Sequence, residues 1–122
     1  APPPPVAPPP QPVTRNFMVF FDWDSDVLTS QARSIVQSAA NEVRRVGVAR
    51  IRLTGHADRS GPNRYNQRLS LRRANRVSAQ LERLGISRNA IAVFARGESQ
   101  PLVPTADGIR EPQNRRVEII LQ

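Results

Sequence analysis

The sequence predicts an α/β domain, an α+β sandwich in which two helices pack on one mixed four-stranded sheet in the order β-α-β-α-β-β. Three observations predict it. Short apolar runs alternate with two longer segments whose apolar residues recur at helical spacing. Glycine or proline punctuates most junctions between them. The 12 prolines are also unevenly placed, eight of them within the first 12 residues. Setting that tract aside leaves about 110 residues, able to bury roughly 65% of their unfolded surface in one unaided core. The expected organisation is therefore a proline-rich linker over 1–14 and one folded domain over 15–122.

The opening APPPPVAPPPQP can form neither helix nor sheet ladder and favours an extended polyproline rod. At about 3.1 Å per residue it would act as a spacer on the order of 35 Å long. The run FMVFF at 17–21 suits a buried first strand. Thr29 can cap a helix whose residues Ala32, Ile35, Val36, Ala39, Ala40, Val43 and Val46 share one face, up to Gly47. RIRLT at 50–54 alternates as a second strand, and 55–61 is a polar loop. Pro62 and Asn63 open a second helix that runs to Leu84 and is stopped by Gly85. A third strand is expected over 90–95. Residues 98–113, with Pro101, Pro104, Gly108 and Pro112, form a loop, and the last strand over 116–121 points Val117, Ile119 and Leu121 to one side.

Composition narrows the chemistry. There is no cysteine, so disulfides, zinc–thiolate sites and a cysteine nucleophile are all excluded. The net charge is +8, and all 18 basic residues are arginine, the planar cation suited to carboxylate and phosphate partners. An anionic partner is implied: nucleic acid, an acidic lipid surface or an acidic polymer. The apolar runs are far shorter than the roughly 20 residues a membrane span requires. The chain opens at Ala1 without Met or a signal-type apolar region, so it is expected to be a piece of a longer protein, with any anchor or export signal outside it.

The second helix carries the informative residues. At 100° per residue, taking Val77 as zero, Leu84 lies at about −20° and Leu81 at about +40°, which defines the buried stripe. Arg73 at about −40°, Ser70 at about +20° and Asn66 at about −20° fall on that same stripe. Inward polar groups need partners, and an inward charge needs one most. Arg64, Arg68, Arg72, Arg76 and Arg83 lie mostly outside the stripe and read as a solvated face. Asp58, in the loop before this helix, is the natural counter-charge at the end of a strand, where α/β sheets gather ligands. An Asp58 and Arg73 pair facing a cavity would recognise a zwitterion, the fork taking a carboxylate and the aspartate an ammonium. Equally, the two could pair with each other as a structural link.

The stretch TGHADRSGPNRYNQRLSLRRANRV at 54–77 closely resembles the central motif of OmpA-like peptidoglycan-binding domains, which read GHTD, then YN, LS and RA at fixed offsets. FFDWDSDVL upstream, and GES, a proline and NRRVEI within 97–119, are similar to that family's flanking blocks, so the resemblance covers about 17–121. It implies a periplasmic module that binds peptidoglycan non-covalently through the diaminopimelate residue of the peptide stem. Such a module would tether the outer membrane to the wall, itself reaching the membrane only through a region missing from this chain. It also implies that Asp58 and Arg73 hold the zwitterionic end of that residue, with Asp24, Asn66 and Arg116 as supporting contacts. Ala57 stands where the family usually has Thr, which removes one hydroxyl and leaves the charged pair.

Other chemistries are less well supported. His56 is the sole histidine, and with Asp58 it forms an HxD pattern, short of the three or four ligands a metal site wants. No nucleophile elbow accompanies the available Ser, His and Asp residues. Neither an enzyme, a cofactor nor a metal is therefore expected. A basic nucleic-acid-binding module is the rival reading, since net positive charge is its footprint. Four of the six aromatics, Phe17, Phe20, Phe21 and Trp23, crowd the first strand and read as core rather than as stacking platforms, so no nucleic-acid partner is expected.

Overall fold

The computed structural model describes residue 3 and residues 16–47, 50–99, 101 and 103–122, so the expected 1–14 linker, residue 3 apart, lies outside the described residues. The elements follow the expected order: β1 (Asn16–Phe20), α1 (Ser30–Val46), β2 (Ile51–Gly55), α2 (Asn63–Arg83), β3 (Ile91–Ala95) and β4 (Arg116–Leu121). Single 3-10 turns at Arg88–Ala90 and Pro112–Asn114 precede β3 and β4. The strands are arranged β1-β4-β2-β3. β2 and β3 are parallel, joined by α2 as the crossover that a parallel pair requires, while β4 lies antiparallel to both β1 and β2.

Both helices cover one face of the sheet. Val19 and Phe21, Ile51 and Leu53, and Val117, Ile119 and Leu121 alternate inward and meet Val36, Ala39 and Ala40 of α1 and Val77 and Leu81 of α2 in one cluster. Each such side chain, fully buried, contributes about 1.5–3 kcal/mol relative to exposure if it is a valine, leucine or isoleucine. α1 begins as expected: the Thr29 hydroxyl accepts from the Ala32 amide at 3.1 Å, and the chain leaves through Gly47 at φ 74°, whose N–H reaches the Val43 carbonyl. At the end of α2, Gly85 turns with φ 93° while the Ile86 amide closes on the Leu81 carbonyl at 3.0 Å.

The first strand differs from expectation. It lies at the edge of the sheet, paired with β4 alone, and because the helices cover only one side of the sheet it is buried on one face. Val19 is inward, but Met18 and Phe20 point to the other face opposite Glu118 and Arg116, and Phe20 is 42% exposed. Trp23 lies past the strand and is also exposed, so only Phe21 and, in part, Phe17 join the core from that aromatic group.

Helix α2 is brought very close to the sheet at one point. A Cβ added at Gly55 would lie 1.9 Å from the Ser70 carbonyl oxygen, so only a residue without a side chain fits there. The Ser70 hydroxyl accepts from the Gly97 amide at 3.0 Å, and the Gln67 amide donates to the Ala95 carbonyl at 2.8 Å. These contacts fix the N-terminal half of α2 over the ends of β2 and β3, where the loops gather.

Candidate ligand-binding site

Past Gly55 the chain leaves the sheet, yet His56, Ala57 and Asp58 all remain buried. The Ala57 amide is held by the Gly97 carbonyl at 2.8 Å. Asp58 uses both carboxylate oxygens. Its Oδ1 accepts from the backbone amide (3.2 Å) and hydroxyl (2.6 Å) of Ser60, an Asx-type turn that starts the approach to α2. Its Oδ2 is 3.1 Å from Nη1 of Arg115, whose Nε donates to the Phe21 carbonyl at 3.0 Å. The segments that follow β1 and β2 and that precede β4 are thus tied together at one end of the sheet.

Arg73 sits below this junction with no exposed surface. Its Nε donates to the Ser25 carbonyl (2.8 Å), Nη1 to the His56 carbonyl (3.0 Å) and Nη2 to the Asp22 carbonyl (3.2 Å), and the guanidinium lies 5.4 Å from the centre of the Phe21 ring. Burial draws its pKa down to about 10; the nearby Asp58 charge opposes that shift, and Arg115 adds to it. The side chain therefore stays charged at neutral pH. Its inward position matches the stripe drawn from the sequence. Its partners do not match either arrangement considered there: the cation is met by three carbonyl dipoles, and Asp58 pairs with Arg115 instead.

Asp24, Asp58 and Asn66 border one cavity of about 200 Å³, together with Ser60 and Tyr65. Asn66 is buried and donates from Nδ2 to the Gly61 carbonyl at 3.2 Å. Asp24 has φ 51°, a left-handed conformation that Asp tolerates better than most residues, and its carboxylate accepts from the Tyr65 hydroxyl. Two carboxylates, an amide and two hydroxyls around a small opening suit a cationic, hydrogen-bonding group.

Arg116 does not join this group. β4 alternates, and with Val117, Ile119 and Leu121 turned to the helices, Arg116 falls on the opposite face, where it pairs with Glu118 Oε1 at 2.9 Å. Arg115, one residue earlier, is the arginine that reaches Asp58. The same two-residue period that places Val117 inward would have placed Arg115 inward from the sequence.

His56 and Asp58 serve different neighbours despite their HxD spacing. The His56 ring is 3.8 Å from Glu118. Its pKa is lowered to about 4, chiefly by burial, with Arg116 and Arg96 adding to the effect and Glu118 opposing it. Among the described residues, no three His, Asp or Glu side chains are grouped to hold a metal ion.

The sequence profile of the OmpA family matches residues 20–115. An outer membrane protein of Gluconacetobacter diazotrophicus is 50% identical over 113 residues, covering 88% of this chain and 30% of that protein. A peptidoglycan-associated lipoprotein of Legionella pneumophila is 34% identical over 107 residues, covering 88% of this chain and 61% of its own length. The chain thus spans about a third of the first relative and less than two thirds of the second. Among solved structures, the peptidoglycan-associated lipoprotein from Burkholderia pseudomallei superposes with a TM-score of 0.79 at 27% identity, over 87% of this chain and 90% of that one.

Proposed function

The chain belongs to the OmpA family, and on that premise we propose that it binds peptidoglycan non-covalently through the diaminopimelate residue of the peptide stem. In this reading it tethers the outer membrane to the wall from the periplasmic side, through the rest of a longer protein. The single observation that carries the proposal is Asp58, buried at the edge of a cavity that also holds Asp24 and Asn66 and ion-paired through its other oxygen with Arg115, which borders the neighbouring cavity. The side-chain end of diaminopimelate bears an ammonium and a carboxylate on one carbon. In this reading Asp58 and Asp24 take the ammonium. Arg115, whose side chain keeps 12% exposure, can exchange the Asp58 oxygen for the ligand carboxylate, charge for charge. Arg73 acts from behind, holding the carbonyls of Asp22, Ser25 and His56 in place and keeping positive potential beneath the site. The relatives named for peptidoglycan association support the same ligand class.

Sedimentation with insoluble sacculi tests this reading. The protein should be retained by diaminopimelate-type wall at least about tenfold better than by lysine-type wall, a difference of about 1.4 kcal/mol. Lysine lacks the second carboxylate, so equal retention by the two walls would overturn the zwitterion assignment.

A further inference from the structure

Trp23, the only tryptophan, is 44% exposed beside the cavity that Asp24 and Asp58 border. It is held firmly in this exposed position. The indole Nε1–H donates to the Ser60 hydroxyl at 2.9 Å, and that hydroxyl donates in turn to Asp58 Oδ1 at 2.6 Å. The Arg110 guanidinium lies 3.5 Å from the ring centre and covers one indole face. With the nitrogen edge bonded and one face taken by Arg110, the second face and the benzo edge are what the ring can offer to a ligand. Tyr65, 38% exposed and fixed through its hydroxyl to Asp24, borders the same cavity.

We infer that the open face of Trp23 is a stacking platform for a pyranose ring of the glycan strand that carries the peptide stem. The inference rests on the stem-binding reading above, because it is the stem that would bring a sugar to this place. A stem held at Asp58 is covalently joined to a sugar a few residues away, a tether long enough for a pyranose to reach the rim of the cavity. The C–H face of a pyranose is apolar and lies flat on an indole, while its hydroxyl edge stays in water. A ring already locked by a hydrogen bond and a cation loses little freedom on being covered, which makes the contact productive.

Calorimetric titration with two soluble ligands separates the two assignments: a disaccharide bearing the diaminopimelate tripeptide, and the same tripeptide without sugar. Wild-type protein should prefer the disaccharide form by roughly five- to tenfold, the range expected of one aromatic stacking contact. Trp23→Ala should bring that ratio to about one, whereas Trp23→Phe, which keeps a ring face and loses the N–H bond to Ser60, should keep most of it. The emission of this single tryptophan should shift to the blue more strongly with the disaccharide ligand than with the free tripeptide.

A wild-type ratio of one, or a ratio that survives Trp23→Ala, would overturn the platform. So would a Trp23→Phe protein that loses both ligands in parallel, since Trp23 would then act only by holding Ser60 and Asp58. Wild-type protein that binds the disaccharide form, ignores the tripeptide and loses the disaccharide form in Trp23→Ala would overturn the stem reading and uphold the platform. Binding of neither ligand would overturn both.

Discussion

A guanidinium without exposed surface is costly to bury, and Arg73 shows how the cost is met: three backbone carbonyls from two separate loops converge on one fork. Arg73→Ala removes all three donors at once and should destabilise the domain by about 3–5 kcal/mol in denaturant melts. Arg73→Lys restores the charge but not the fork, so it should recover only part of that loss. Arg72→Ala, at an exposed position whose nearest acid is Asp26 at 3.7 Å, should stay within about 0.5 kcal/mol of wild type. Equal losses at positions 72 and 73 would refute the stapling role.

His56 yields a pH dependence of definite sign. Its folded-state pKa of about 4 lies below the ordinary 6.5, so between these values the unfolded chain takes up a proton that the folded chain refuses. Stability is therefore unaffected by His56 above 6.5 and falls as pH drops towards 4. Between pH 7 and 5.5 the loss should be about 1 kcal/mol, and as the sole histidine its replacement in His56→Gln should flatten that stretch of the melting profile. A profile with the same slope in both proteins would show that another group titrates there.

At the scale of elements, two glycines make opposite demands. Gly55 lies where α2 crosses β2, and an added Cβ would strike the Ser70 carbonyl, backbone that cannot step aside. Gly55→Ala should lift α2 off the sheet and cost at least about 3 kcal/mol, or abolish folding. Gly47, at the end of α1, has φ 74° and nothing within 4 Å of an added Cβ, so Gly47→Ala should cost only about 1 kcal/mol for the left-handed backbone. Thermal melts of the two variants side by side check both numbers, and comparable losses would mean that the close approach of helix and strand relaxes easily. The same elements show what is legible in the sequence. α1 could be read from end to end, because its cap residue, its apolar period and its terminal glycine all agree. The stripe of α2 was legible down to the inward Arg73, since 100° per residue is a strict rule and the helix is long. β1 was not: FMVFF is apolar on both faces, and whether a strand is an edge depends on which partners arrive from elsewhere in the chain. Arg116 came from the family pattern and not from the strand's period; one residue of phase in a strand moves a side chain to the other face, and it is Arg115 that reaches Asp58.

For the whole molecule, a net charge of +8 borne by arginine alone could be read as general attraction to any polyanion, and neither composition nor helical period separates that from a site. What separates them is place. Arg64, Arg68, Arg72, Arg76 and Arg83 are all exposed on α2, whereas Arg73 and Arg115 are withdrawn beside Asp58. Exposed charges act through a field that salt screens within about 10 Å at 0.1 M, so they should steer the protein towards an anionic wall without selecting its chemistry. A protein carrying Arg64→Ala, Arg68→Ala and Arg83→Ala should associate with immobilised wall fragments several-fold more slowly at 50 mM salt and at nearly the wild-type rate at 300 mM. Its dissociation rate should barely change, because the withdrawn groups that would grip the ligand remain, and its preference for diaminopimelate-type over lysine-type wall should persist. Should the triple variant lose that preference, or release the wall much faster at every salt concentration, the arginine surface itself would be the binding device and the Asp58 cavity would not.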